Sequence, residues 1–217
     1  LSIPYNVQKE LVDEDLLDQV HFPGRQQGSD DHTREVAKLA GMVTAAANPV
    51  IIAGYGCIKA GARGVVGQLS ERMGIPVATS LKGKGVVAEG ADLSLGCLGV
   101  TSNGDARRYI VERADLVIFL GAGFNERTSY LWDRELLSGK KIAQVDRDPA
   151  QLGRVFKPDL AIRGDIGQVL TELLEGLQLA GARSKSLEAL AAIMRPGHRA
   201  PLRTRLPPIP RSDRGFI

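Results

Sequence analysis

Residues 48–80 read NPVIIAGYGCIKAGARGVVGQLSERMGIPVATS, and this stretch decides the fold. Pro49 to Ala53 is an apolar run without polar alternation, the pattern of a strand covered on both faces of a parallel sheet. Gly54, Gly56 and Gly61 follow, and they predict a sharp turn that leaves the first amides of the next helix uncovered, the geometry of an anion site. The alternative is that these glycines only make a tight strand-to-helix turn. The spacing predicts a helix over 61–73 with Val65, Leu69 and Met73 on one face, stopped by Gly74-Ile75-Pro76 ahead of a second strand.

Working outward, the same unit repeats. Before it, Val36, Leu39, Ala40 and Val43 predict a helix starting near Asp30, with Ser29 or Asp30 as its cap. After it, the glycine-rich run from Leu81 to Gly104 lacks periodicity and reads as a long functional loop. Asp105 to Arg113 predicts a helix, Asp115 to Leu120 a third strand, Lys141 to Asp146 a fourth and Asp159 to Arg163 a fifth. A last helix over 165–178 shows Ile166, Val169, Leu170, Leu173, Leu174 and Leu177 on one broad face. This alternation predicts an α/β fold: a Rossmann-like, doubly wound, mostly parallel sheet flanked by helices. Right-handed crossovers then gather Gly54-Gly56, Thr79-Lys84, Gly121-Arg127, Asp146 and Gly164-Asp165 on the carboxyl edge, where such folds bind ligands.

Composition narrows the function. The 217 residues are 43% hydrophobic, with no apolar run long enough to span a bilayer and no leader-like segment, so the expectation is a cytoplasmic protein without a membrane partner. Of the net charge of +3, residues 195–217 hold +5 in six arginines against Asp213, leaving −2 on residues 1–194. The core thus has no footprint for nucleic acid. Cys57 and Cys97 lack a CxxC pattern and read as free thiols; His21, His32 and His198 lack ligand spacing, so no metal site is assigned.

Two nucleotide fingerprints fail. GxGxxG would need glycine where Lys59 stands and an acid where Thr79 and Ser80 stand, and GxxxxGK[ST] is absent. Lys82 and Lys84 could meet a diphosphate or a carboxylate, or simply be solvated. Arg127 suits phosphate through its planar fork. Asp146 could take ribose hydroxyls or cap the turn before Pro149.

Six segments in order, NPVIIAGYG, IPVATSLKGKG, LGCLGVTSNGDA, ADLVIFLGAGFNER, QVDRDPAQLGR and AIRGDI, resemble the central domain of thiamine-diphosphate-dependent enzymes of the acetolactate synthase type. LSIPYNVQ at the start is similar to the end of that family's pyrimidine domain. The resemblance covers about residues 1–178 and implies three parts. Residues 1–28 would close the preceding pyrimidine-type domain and add a linker; 29–180 would be the central Rossmann-like domain; 181–217 would hold a short helix, near 186–194, and an Arg/Pro-rich tail.

It further implies a parent chain with pyrimidine and diphosphate domains, thiamine diphosphate and Mg2+ held outside this stretch, and a homo-oligomer at full length. The parent would decarboxylate a 2-oxo acid and ligate the acyl unit to a second carbonyl, while this stretch alone, without the Gly-Asp-Gly motif, would be inactive. FAD or ADP could lie across the central domain. By resemblance, Gly54, Tyr55, Gly56 and Arg127 would face the diphosphate with Gly99 and Val100 beside them. Asp146 would face the ribose, and Gly164, Asp165 and Ile166 the adenine. Loop 79–85 would face the active-site side. Val100-Thr101-Ser102 stands where acetolactate synthases tend to carry methionine and histidine, which leaves ADP or an empty edge open beside FAD. A stand-alone adenine-nucleotide-binding or regulatory module is the alternative.

Overall fold

The computed structural model describes residues 32–180. The strand and linker expected in 1–28, the helix near 186–194 and the arginine-rich tail lie outside the described residues.

Six parallel strands, β1 (Pro49–Ala53), β2 (Val77–Thr79), β3 (Ser94–Cys97), β4 (Leu116–Leu120), β5 (Lys141–Asp146) and β6 (Leu160–Arg163), form one sheet in the order β3-β2-β1-β4-β5-β6. The doubly wound parallel expectation holds. Because strands β1 and β4 are central, their alternate residues feed two cores. Ile51, Ala53, Leu116, Ile118 and Leu120 face one; Val50, Ile52, Val117 and Phe119 face the other. All ten residues of β1 and β4 are buried, which explains their unbroken apolar sequence.

The first core is covered by α1 (Thr33–Ala45), the short α2 (Tyr55–Lys59), α3 (Arg63–Met73) and α5 (Ile166–Leu179). Every residue of the predicted α5 stripe is buried, and Asp165 caps that helix by accepting from the amides of Gly167 and Gln168. The second core is covered by α4 (Asp105–Glu112) and by an aromatic trio: Phe119, Phe124 and Phe156, with ring centroids 4.7 to 5.4 Å apart.

Three expectations need correction. The helix expected over 61–73 is present as α3, but the glycine turn expected ahead of it holds a short helix of its own, because the chain already turns helical at Tyr55 and then stops. Gly61 at φ +66° and the bonds from Gly61 N to Ile58 O and from Ala62 N to Cys57 O close α2 in a Schellman arrangement. The buried face of α3 therefore runs through Val66, Leu69 and Met73, with Val65 only half-buried. Second, α1 begins at Thr33 with His32 at its N-cap and without a side-chain cap bond, not at a cap on Ser29 or Asp30. His32 is buried against Gly164, where a Cβ would sit 2.5 Å from its Nε2, so tertiary packing sets the helix start. Third, the stretch read as pure loop contains strand β3. It is four residues long, interrupted by Gly96 at φ +72°, and pairs with β2 through an irregular register, so no period marks it.

Candidate functional site

The chain order reverses between β1 and β4, the place where doubly wound sheets open a crevice for ligands at their carboxyl ends. Here the backbones close that place. A Cβ on Gly54 would fall 2.2 Å from Gly121 O, and one on Gly56 would fall 2.6 Å from Gly121 Cα. A Cβ on Gly83, in the turn after β2, would fall 2.4 Å from Ala53 O. Ile166 completes the contact: its Cδ1 would lie 2.6 Å from a Cβ on Gly121. These glycines are required because three segments meet with no room for a side chain.

The amides are also spent. Gly54 N donates to Leu120 O, Gly56 N to Gly121 O and Cys57 N to Gly54 O, at 2.9 to 3.1 Å. The expectation that Gly54 to Gly61 leaves the first helical amides uncovered for an anion is therefore corrected at these three positions, and α2 is only five residues long. Tyr55 stands exposed at the same turn, with Lys59 Nζ 6.0 Å from its ring centroid.

A second cluster forms beside this one. Val100 N donates to Arg127 O at 3.1 Å, and Gly99, at φ +145°, lies so close that a Cβ there would meet the same oxygen at 3.1 Å. The resemblance set Gly99 and Val100 beside Arg127, and the backbone joins them. Arg127 is exposed, and no ion pair holds it among the described residues. Its guanidinium is the one part of this cluster whose chemistry fits a phosphate.

Beyond Arg127 the chain makes an unusual turn. Tyr130, Leu131 and Trp132 all have positive φ, at 53°, 60° and 65°. Each such residue costs about 1–2 kcal/mol relative to the right-handed conformation. Side chains over-determine the turn: Tyr130 Oη and Ser102 Oγ share a hydrogen bond of 2.8 Å, and Arg107 pairs with Asp133 while its guanidinium lies 5.7 Å from the Tyr130 ring. Sequence reading missed these residues. The lone Trp132 of the chain was the only signal, and a left-handed turn leaves no periodicity to find.

Asp146 ends β5, half-buried, and its Oδ1 accepts from Asp148 N at 2.9 Å. Burial holds its carboxyl above the ordinary carboxylate value, and the Asp148 charge adds to that. The turn-capping role foreseen for it is present; Asp148 in turn caps the short turn at Pro149 by accepting from Ala150 N. Gly164 N donates to Asp146 O at 3.1 Å, so the ribose and adenine candidates adjoin. Asp165 is engaged in capping α5, however, and Ile166 is buried, which leaves their backbone rather than their side chains for a ligand.

Thr79, which ends β2, and Ser80 in the following loop are buried, and Ser80 Oγ accepts from Gly83 N. Lys84 pairs with Glu89 at 2.7 Å, a carboxylate of its own chain. Cys57 is buried with its thiol donating to Leu120 O; burial pushes it up to about 12, so it carries no nucleophilic role. Cys97 is half-buried.

Residues 36–173 match the family model described as the thiamine pyrophosphate enzyme, central domain. The chain belongs to that family. As a central domain of a thiamine pyrophosphate enzyme it is 34% identical over 160 residues to the acetolactate synthase large subunit of Porphyra purpurea, covering 74% of this chain and 27% of the relative. It is 30% identical over 187 residues to the acetolactate synthase large subunit of Corynebacterium glutamicum, covering 86% and 30% respectively. A solved structure described as a thiamin diphosphate-dependent enzyme isolated from Mycobacterium smegmatis aligns with TM-score 0.56 at 28% identity, over 67% of this chain and 27% of that one. This central domain therefore spans under a third of the length of the relatives it matches. No helix among the described residues is long and apolar enough to cross a membrane.

Proposed function

We propose that this domain works inside a larger thiamine-diphosphate enzyme of the acetolactate synthase type, which decarboxylates a 2-oxo acid such as pyruvate and joins the acyl unit to a second carbonyl. The family match over residues 36–173, with acetolactate synthase large subunits among the relatives, carries this reading. Thiamine diphosphate with Mg2+, held by pyrimidine and diphosphate domains of the same chain, would supply the electron sink for decarboxylation. Within that assembly the domain is a rigid spacer that sets loop 79–85 toward the reacting side and offers its carboxyl edge to an adenine nucleotide, FAD or ADP. The domain division at 1–28, 29–180 and 181–217, the cytoplasmic location and a homo-oligomeric parent belong to the same proposal.

For the nucleotide, the residues fit in part. Arg127 is exposed and its backbone joins that of Gly99-Val100, and Asp146 and Gly164 adjoin at the ends of β5 and β6. Gly54 is buried against Gly121, so only the half-buried Gly56 lends side-chain-free surface, and neither offers an amide donor. Tyr55 would cover it, with Gly164, Asp165 and Ile166 offering backbone to the base.

The test is a thermal-shift titration with FAD, ADP, NAD and thiamine diphosphate side by side. A ligand at a hundredfold excess over its Kd stabilises by about 2.7 kcal/mol. Stabilisation by FAD or ADP alone, reduced in Arg127→Gln, supports the nucleotide edge. Stabilisation by NAD alone would overturn it, and no response to any of the four would leave a purely structural edge.

A further inference from the structure

Three long helices cover the first core side by side: α1 lies against β6, α5 beside α1, and α3 beside α5. In the strand order β3-β2-β1-β4-β5-β6, the flank beyond α3 belongs to β2 and β3. A crossover between parallel strands usually supplies a helix, yet the one from β2 to β3 holds only the single turn Leu81–Gly83. A groove of about 490 Å3 stands there, between α3 and residues 86–94. The buried Val77, Val86 and Leu93 line it, with the α3 flank from Arg63 to Glu71 on one side and Val87 and Asp92 on the other. Gly64 and Gly67 lie on that flank, and a Cβ on either would meet nothing within 4 Å, so another backbone can come close to α3 there.

The chain carries a segment that matches this groove. Residues 181–195, outside the described residues, read GARSKSLEALAAIMR, and Leu187, Leu190, Ala191 and Met194 recur at i, i+3, i+4 and i+7. That spacing gives a helix one apolar face, and Pro196 ends it. A helix over 186–194 measures about 13.5 Å, the same as the stretch of α3 from Arg63 to Glu71 that lines the groove.

The segment is also delivered to the right end. Helix α5 starts after the carboxyl end of β6 and runs back across the sheet, so it leaves the chain at Ala180 on the amino edge. The six steps from Ala180 to Ser186 span up to about 20 Å, which equals roughly two interaxial distances, from α5 past α3 to the groove. Charge agrees with this entry. Arg183 and Lys185 come first, and the exposed acids at the amino end of the groove are Glu71, in the last turn of α3, and Asp92, just ahead of β3. Arg63 stands at the far end, where the last carbonyls of a helix running antiparallel to α3 would meet a cation.

We propose that residues 186–194 form a helix that docks in this groove as the fourth helix of the layer, its Leu187, Leu190, Ala191 and Met194 turned to Val77, Val86 and Leu93. The proposal does not depend on the enzyme reading.

The test is amide hydrogen exchange of the 217-residue chain, read by mass spectrometry, beside a synthetic peptide of residues 181–196. A helix this short is marginal alone in water, so the amides of 188–194 should exchange at least about tenfold more slowly in the chain than in the peptide. Gly67→Leu fills the groove from the side of α3, and Leu190→Asp breaks the apolar stripe. Each should return those amides to the rates of the peptide while the amides of β1 and β4 keep their protection. Equal exchange in chain and peptide would overturn the proposal. Protection that survives Gly67→Leu would seat the segment elsewhere, and protection that grows with chain concentration would seat it on a second copy; either result overturns it too.

Discussion

Gly54 and Gly121 lie backbone against backbone, so close that a Cβ on Gly54 would be 2.2 Å from the carbonyl oxygen of Gly121. This contact joins the first turn of each half of the sheet, and it turns the place where a ligand crevice usually opens into a sealed seam. Gly54→Ala should lower stability by about 3 kcal/mol or more, since neither backbone can yield without displacing β1 or β4. Gly123→Ala is the comparison, because a Cβ there meets nothing within 4 Å; its denaturant midpoint should match that of the parent chain. Equal midpoints for both variants would mean that the seam is looser than described.

Asp146 makes stability depend on pH in a defined direction. Its folded-state carboxyl is held above the ordinary value of 3.8, chiefly by burial, so the folded chain binds this proton more tightly than the unfolded chain does. The stability this group contributes is therefore greatest in acid and falls as pH rises through 3.8 and the folded value. Asp146→Asn keeps an acceptor for Asp148 N and removes the charge. Its melting temperature should exceed the parent's at pH 7, and the gain should vanish below pH 3.8. The same variant should weaken any nucleotide held through ribose hydroxyls, which separates the two roles of this side chain.

The two thiols should react in sequence. Cys57 is buried, donates to Leu120 O and is pushed up to about 12, whereas Cys97 is half-buried near the surface loops. Titration with a disulfide reagent at pH 8 should label only Cys97 in the folded chain and both thiols in denaturant. Rapid labelling of Cys57 in the folded chain would show that the β1–α2 turn opens.

Arg107, on α4, holds the 130–135 segment through Asp133, Glu135 and the face of Tyr130. Arg107→Ala should cost about 1–2 kcal/mol, the scale of a partly buried ion pair with a cation–π contact. Because Trp132 is the only tryptophan, its fluorescence reports on this turn without interference. Emission should shift to the red in Arg107→Ala while the far-UV circular dichroism stays unchanged. An unshifted spectrum would mean that backbone bonds alone hold the turn.

The sequence by itself determined five of the six strands and most of the helices. PVIIA and LVIFL are apolar because both faces of a central parallel strand are buried, and the α5 stripe is periodic because one side of a helix must cover such a sheet. It also determined the neighbourhood of Asp146 and Gly164, since parallel topology carries every post-strand turn to one edge, whereas Gly99 and Val100 beside Arg127 came from the family resemblance. What only the tertiary structure decided are the features created by contact between distant segments. A glycine kept for ligand access and one kept for close packing are the same letter, and Gly121 against Gly54 tells them apart. Strand β3 exists because β2 offers it an edge, and α1 begins where His32 meets Gly164. The left-handed turn at Tyr130–Trp132 stands because Ser102 and Arg107 hold it. None of these leaves a local period, because the energy that fixes them lies in partners tens of residues away.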